Sequence, residues 1–162
     1  MEPKQKPLKR HPELVPLSRE HHFGLLFGWK IKQGLALEAD SQIIREYVQY
    51  FWNNHLAAHF EKEENIIREL LPAADAQGNR VLVEHDFIRS LINCLALDLD
   101  KPEYLLQTLQ QFLNEHIRFE ERELFPYLES VATPGQLVLI GKLIQQDEET
   151  LADNFQPAFW QK

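Results

Sequence analysis

The stretch Asn114-Glu115-His116-Ile117-Arg118-Phe119-Glu120-Glu121-Arg122-Glu123-Leu124-Phe125-Pro126 decides how the chain reads. On a helix, residues four apart stack on one face, so His116 sets an imidazole one turn from the Glu120 carboxylate. Phe112, Leu113 and Phe119 around them are apolar, which makes this a face that packs inward. A carboxylate on such a face needs a partner, because an isolated charge in a low-dielectric interior is prohibitively costly. A metal ion is one such partner.

The pattern occurs a second time, at His59-Phe60-Glu61-Lys62-Glu63-Glu64. His59 and Glu63 have the same spacing, and a second Glu again follows. A single His-x-x-x-Glu is weak, since roughly one is expected by chance in a chain of this composition. Distribution makes the signal stronger. Reading outward, helical texture starts after Pro16 with Ser18 as N-cap, and His22, Leu25, Leu26 and Trp29 follow at 3-and-4 spacing. A second helix runs over 41–71 and ends at Pro72, and 72–78 is a loop. A third covers 79–97 and a fourth 102–125, with Pro126 kinking or ending it. Thr133-Pro134-Gly135-Gln136 is a capping box with proline at the first helical position, which opens a short fifth helix through Leu137, Ile140, Leu143 and Ile144. No segment alternates with period two. The expected fold is therefore all-α: an antiparallel up-down four-helix bundle with a short fifth C-terminal helix. Its expected parts are an extended lead-in over 1–16, the bundle over 17–153 and an aromatic tail over 154–162. The tail's Phe155, Phe159 and Trp160 pack either on the bundle or on a second copy of the chain, as a homodimer.

Helix one then offers His22, helix two His59 and Glu63, helix three His85, and helix four His116 and Glu120. Bundles build metal sites from facing side chains in this way. Four imidazoles and two carboxylates exceed the needs of one zinc ion and suit two ions bridged by the carboxylates. His21 and His22 compete for the helix-one position. His22 is favoured because Leu25, Leu26 and Trp29 lie at i+3, i+4 and i+7. His55 reads as a rim residue, and Glu64 and Glu121 as surface or outer carboxylates. The glycines of helix one, Gly24, Gly28 and Gly34, weaken it and are places where another element could approach closely.

With these residues in hand, the chain resembles the hemerythrin-like family of HHE cation-binding domains. The resemblance runs from Ser18-Arg19-Glu20-His21-His22 through His59-x-x-x-Glu63, Glu84-His85-Asp86 and His116-x-x-x-Glu120 to Leu124-Phe125-Pro126. It implies a four-helix bundle around two non-heme iron ions with an oxo or hydroxo bridge. The implied ligands are His22, His59, Glu63, His85, His116 and Glu120. Two positions depart from the family's oxygen carriers: Arg89 stands where they have a second histidine, and Glu120 lies four residues after its histidine, where they have Asp at five. The chain is more similar to the four-His, two-Glu members, which include iron-sensing and iron-centre-repair proteins. The ferritin-like alternative uses Glu-x-x-His, and none of the seven histidines has Glu three residues before it.

A ligand set of imidazoles and carboxylates without thiolate suits iron. The leading expectation is a protein that binds or senses a small diatomic ligand, O2 or NO. The rivals are an enzyme or iron donor that turns over NO or peroxide or repairs iron centres, and a metal-free structural bundle. Arg89, one turn from His85, either shapes the charge of the site or forms a surface salt bridge.

Composition bounds the rest. One domain is expected from 162 residues, and 44% hydrophobic residues suffice for its core. The net charge of −8 argues against nucleic-acid binding, and Lys4, Lys6, Lys9 and Arg10 read as a solvated tail. The one cysteine, Cys94, reads as core filler and fits a reducing, cytoplasmic setting. No apolar run approaches the ~20 residues of a membrane span, and the N-terminus lacks a signal-peptide core.

Overall fold

The computed structural model describes residues 9–145 and 152–162. Among them every regular element is helical. A 3-10 turn, Pro12–Leu14, leads into α1 (Val15–Ala36), so helix one starts ahead of Ser18 with Pro16 in its first turn, where a missing N–H costs nothing. Residues 12–16, expected to be extended, are therefore helical. Residues 1–8 of that lead-in lie outside the described residues.

The second helix of the bundle has the expected span but not the expected regularity. It consists of α2 (Ser41–Phe51), a π-turn (Trp52–Leu56) and α3 (Ala57–Leu70), with Asp40 capping the start through the Gln42 N–H at 2.9 Å. α4 (Ala76–Leu95) begins three residues ahead of expectation because Asp75 caps it, accepting from the Gly78 N–H at 2.9 Å. The fourth helix comprises α5 (Glu103–Phe119), a second π-turn (Glu120–Leu124) and α6 (Phe125–Val131). In that π-turn the Phe125 N–H reaches back five residues to the Glu120 carbonyl, and Pro126 follows in the first turn of α6. Pro126 therefore neither ends nor breaks the run. α7 (Pro134–Gln145) opens on the expected capping box: Gln136 Oε1 accepts from the Thr133 N–H at 2.9 Å and Thr133 Oγ1 from the Gln136 N–H at 3.2 Å.

α1 packs on α5 and α2, and α4 on α5, α2 and α3, which gives an antiparallel bundle with α7 lying across its end against α3 and the Pro12–Leu14 turn. The core falls into two apolar clusters. One holds Phe27, Ile31, Ile44, Phe51, Ile88 and Leu109; the other holds Leu14, Leu17, Ile66, Val81, Phe125 and Ile140. Between them along each helix lies a layer of histidine and glutamate. The tail closes over the first cluster, with Phe159 buried beside Gly34 and Asp153 hydrogen-bonded to Lys30 and Tyr47.

Helix α1 faces the opposite way from its expected orientation. Leu25, Leu26 and Trp29 are 38–48% exposed, while Leu17, His21, Gly24, Gly28 and Ile31 face inward. The inward face is small because α5 lies close: a Cβ on Gly24 would stand 2.8 Å from Ile117 Cδ1. Cys94 is exposed, contrary to the core role expected for it. No described helix is long and apolar enough to cross a membrane.

Candidate metal centre

Four imidazoles converge on two carboxylates in the layer between the clusters. His21 Nε2 lies 3.1 Å from Glu63 Oε1 and 2.9 Å from Glu120 Oε2. His59 Nε2 is 2.8 Å from Glu63 Oε1, and His116 Nε2 is 2.8 Å from Glu120 Oε1. His85 Nε2 completes the set, 3.2 Å from Glu63 Oε2 and 3.5 Å from Glu120 Oε1. All six residues are buried.

These groups divide into two potential cation sites, His21 with His59 and His85 with His116, and both include Glu63 and Glu120. Each carboxylate turns one oxygen to each histidine pair. Close as they are, Glu63 Oε2, both oxygens of Glu120, His85 Nε2 and His116 Nε2 lack a properly aligned hydrogen-bond partner. They crowd within 2.8–3.5 Å of one another without a hydrogen bond of good geometry, and buried polar atoms left in that condition are costly. A cation-binding site is what this donor set fits. A family model of the hemerythrin HHE cation-binding domain matches residues 19–128, most of the chain. The chain belongs to that family. Neither the curated proteins nor the solved structures contain a match.

Within this hemerythrin-like domain, the structure brings together five of the six residues expected from the sequence: His59, Glu63, His85, His116 and Glu120. The sixth, His22, is exposed, and its neighbour His21 occupies the helix-one position. The physical reason is the reversed face of α1. The large apolar residues used to phase that helix point to solvent, and the face that can approach α5 is the one lined with glycine.

Three of the four histidines hold an outer carboxylate on Nδ1, and the fourth has one nearby. His21 Nδ1 lies 2.6 Å from Glu121, His59 Nδ1 2.6 Å from Glu20 and His85 Nδ1 2.9 Å from Glu64, all hydrogen-bonded, whereas His116 Nδ1 stands 3.7 Å from Glu84, beyond hydrogen-bond reach. A carboxylate at Nδ1 holds that nitrogen protonated, frees Nε2 as the ligand atom and makes it more basic. Cations in turn hold the outer carboxylates: Lys62 on Glu20 at 2.8 Å, Arg89 on Glu64 at 2.5 Å, Arg80 on Glu84 at 3.1 Å and Arg10 on Glu121 at 3.0 Å. Arg89 thus reaches the site through Glu64. Aromatic rings stack on two of these imidazoles, Phe60 on His85 at 3.7 Å and Phe125 on His21 at 5.3 Å.

Glu20 and Glu84 went unrecognised in the sequence, although a signal was present. Glu20-His21 and Glu84-His85 form matching doublets, just as Glu63-Glu64 and Glu120-Glu121 do. The repeat is Glu-His followed by His-x-x-x-Glu-Glu, twice, and aligning the doublets selects His21 over His22. Arg10, read as part of a solvated tail, is buried against Glu121.

The electrostatics follow from this arrangement. Burial and the neighbouring Glu120 push Glu63 up, but His59 and His21 outweigh them and hold its carboxyl well below the usual range. Burial likewise opposes ionisation of Glu120, and His116, His21 and His85 overcome it. Burial pulls the histidines down while their carboxylate partners raise them, to about 8 for His59 and well above the ordinary value for His21 and His85. In the absence of a cation, protons on the imidazoles neutralise the layer.

Proposed function

We propose that the chain is a non-heme di-iron protein that binds a small diatomic ligand, O2 or NO, at a carboxylate-bridged centre. The observation that carries this reading is the orientation of Glu63 and Glu120, each of which offers separate oxygens to the two histidine pairs. His21 and His59 would hold one iron, His85 and His116 the other, and the two carboxylates both. Bound iron supplies redox-active positions at which a diatomic molecule can be held, and a nitrogen and oxygen donor set without thiolate favours it.

The chain's own residues do the rest. Glu121, Glu20 and Glu64 fix the tautomer and rotation of His21, His59 and His85, so their Nε2 atoms face inward before a cation arrives. A narrow cavity next to the centre reaches His21, His59 and His116, and its wall is mostly apolar, Phe23, Phe51, Leu56, Phe60, Leu113 and Ile117, with Glu20 and His55 at its polar edge. A mostly apolar cavity this narrow admits a molecule of only a few atoms, which supports a diatomic over a larger substrate.

Iron analysis after anaerobic loading tests the reading. About two irons per chain are expected for the wild type, from two sites that share the same carboxylates. Glu120→Ala is expected to lose binuclear binding. A wild type that stays at one iron or none would sink the proposal, and a Glu120→Ala variant that keeps two would sink the bridging role. Rapid mixing of the reduced protein with O2 or NO then reads the ligand: a stable, reversible adduct is expected, and steady consumption with added reductant would mean catalysis.

A further inference from the structure

Three of the four outer carboxylates take their cation from within the bundle: Lys62 on α3 and Arg80 and Arg89 on α4. Glu121 does not. Its partner is Arg10, which precedes every helix and lies outside the residues matched to the family. Arg10 Nη2 donates to the Glu121 carbonyl at 2.5 Å and to Glu121 Oε2 at 3.0 Å, while Nη1 donates to Glu129 Oε1 at 3.2 Å. The His11 N–H donates to that same Glu129 oxygen at 2.8 Å. The guanidinium also lies 5.0 Å from the centre of the Phe125 ring, the ring that stacks on His21. Arg10 therefore touches both groups that hold His21, the carboxylate at its Nδ1 and the ring against its face. Its side chain is only 8% exposed.

We propose that Arg10 is a positioning residue for the His21 and His59 half of the metal centre, so that the N-terminal arm completes a site the helices alone leave unfinished. The planar fork meets the Glu121 carboxylate, the Glu121 carbonyl and the Glu129 carboxylate together, which a lysine ammonium on a flexible stem cannot reproduce. Without it, Glu121 and Glu129 face each other as like charges. Glu121, already 29% exposed, then has solvent as an alternative to His21 Nδ1. His21 would lose the contact that aims its Nε2, while His59, His85 and His116 keep their own carboxylates.

The inference rests on the two-ion reading above, and its test separates the two. Wild type, Arg10→Ala, Arg10→Lys, Glu121→Gln and the Arg10→Ala/Glu121→Gln double variant are loaded with ferrous ions anaerobically. Iron content is measured, and release to an excess of a coloured chelator is followed. In Arg10→Ala one of the two ions is expected to leave about tenfold faster, the usual scale for losing an outer partner of a metal ligand. Arg10→Lys, which keeps the charge and tests the fork, is expected to fall between it and the wild type. Because Arg10 acts through Glu121, removing it is expected to add little acceleration in the Glu121→Gln background. Equal acceleration in both backgrounds, or release from Arg10→Ala at the wild-type rate, overturns the proposal for Arg10 alone. Wild-type protein that fails to take up two ions overturns both readings.

Discussion

His21 and His22 are adjacent in sequence but about 100° apart around α1, and that angle separates a buried position facing Glu63 and Glu120 from an exposed one. The experiment that discriminates them is direct. His21→Ala is expected to lower iron content from about two per chain toward one, and His22→Ala to leave it unchanged, with metal analysis as the measurement. Loss of an ion from His22→Ala alone would mean that α1 presents its other face to the site. Four of the remaining members of the layer were legible because the pairs His59/Glu63 and His116/Glu120 each fix their own face without reference to other helices, and His85 because it falls on the apolar stripe of Leu82, Ile88 and Ile92. His21 was harder to read, since its helix has no carboxylate one turn on to set the phase. What could set it was the Glu-His doublet shared with helix three, where Glu20 and Glu84 each serve a histidine on the following helix. Arg10 had no local signal at all. A basic residue in a proline-bearing lead-in reads as solvated until its partners, 111 and 119 residues away, are in view.

At the scale of the element, the number and order of the helices were written in local chemistry, and the starts at Asp40 and the Thr133 box follow from their residue types, but the cap at Asp75 was hidden in a stretch that reads as loop. The two π-turns were not legible. They leave helical texture intact while slipping the register by one residue, so that five residues separate buried Phe51 from buried Leu56. The packing face of α1 was also hidden, because Gly24, Gly28 and Gly34 on it add nothing to an apolar periodicity while Leu25, Leu26 and Trp29 on the other side do. Its glycines differ in what they accommodate. A Cβ on Gly28 would meet nothing closer than the Gln110 carbonyl oxygen at 3.7 Å. Gly28→Ala is therefore expected to raise the urea midpoint, by as much as about 1 kcal/mol of helix propensity. At Gly34 the Cβ would stand 2.6 and 2.8 Å from two carbons of the Phe159 ring and 3.1 Å from Ile44 Cδ1. Gly34→Ala must push that ring out of the core, so its urea midpoint is expected to fall, by about 1–3 kcal/mol of overpacking less the propensity gained. Opposite signs for two Gly→Ala changes two turns apart on one helix test the close packing of α1; equal signs would contradict it.

For the molecule as a whole, the consequence of the fold is that a layer of titratable groups divides the core into two apolar clusters. In protein freed of metal by a chelator, these groups must stabilise one another. His59 holds its proton up to about 8 in the folded state, against 6.5 ordinarily, because Glu63 and Glu20 outweigh its burial, and His21, His85 and His116 shift the same way. A base whose folded pKa is raised stabilises the fold fully below its unfolded value and loses that contribution as pH rises through the folded one. Glu63 and Glu120 are shifted down from 4.5, so their contribution is present above that value and is lost on acidification. The layer therefore favours the metal-free fold most between pH 4.5 and 6.5. The melting temperature of chelator-treated protein is expected to fall as pH rises from 6.5 to 8. Metal binding runs the other way, since a cation must displace protons from the imidazoles and so binds more tightly as pH rises. Stabilisation by added ferrous ions, read as the difference in melting temperature between loaded and chelator-treated samples under anaerobic conditions, should then widen across the same interval. A difference that narrows toward pH 8 would show that protons and cation do not compete for the four histidines, and would count against the layer as the metal centre proposed for it.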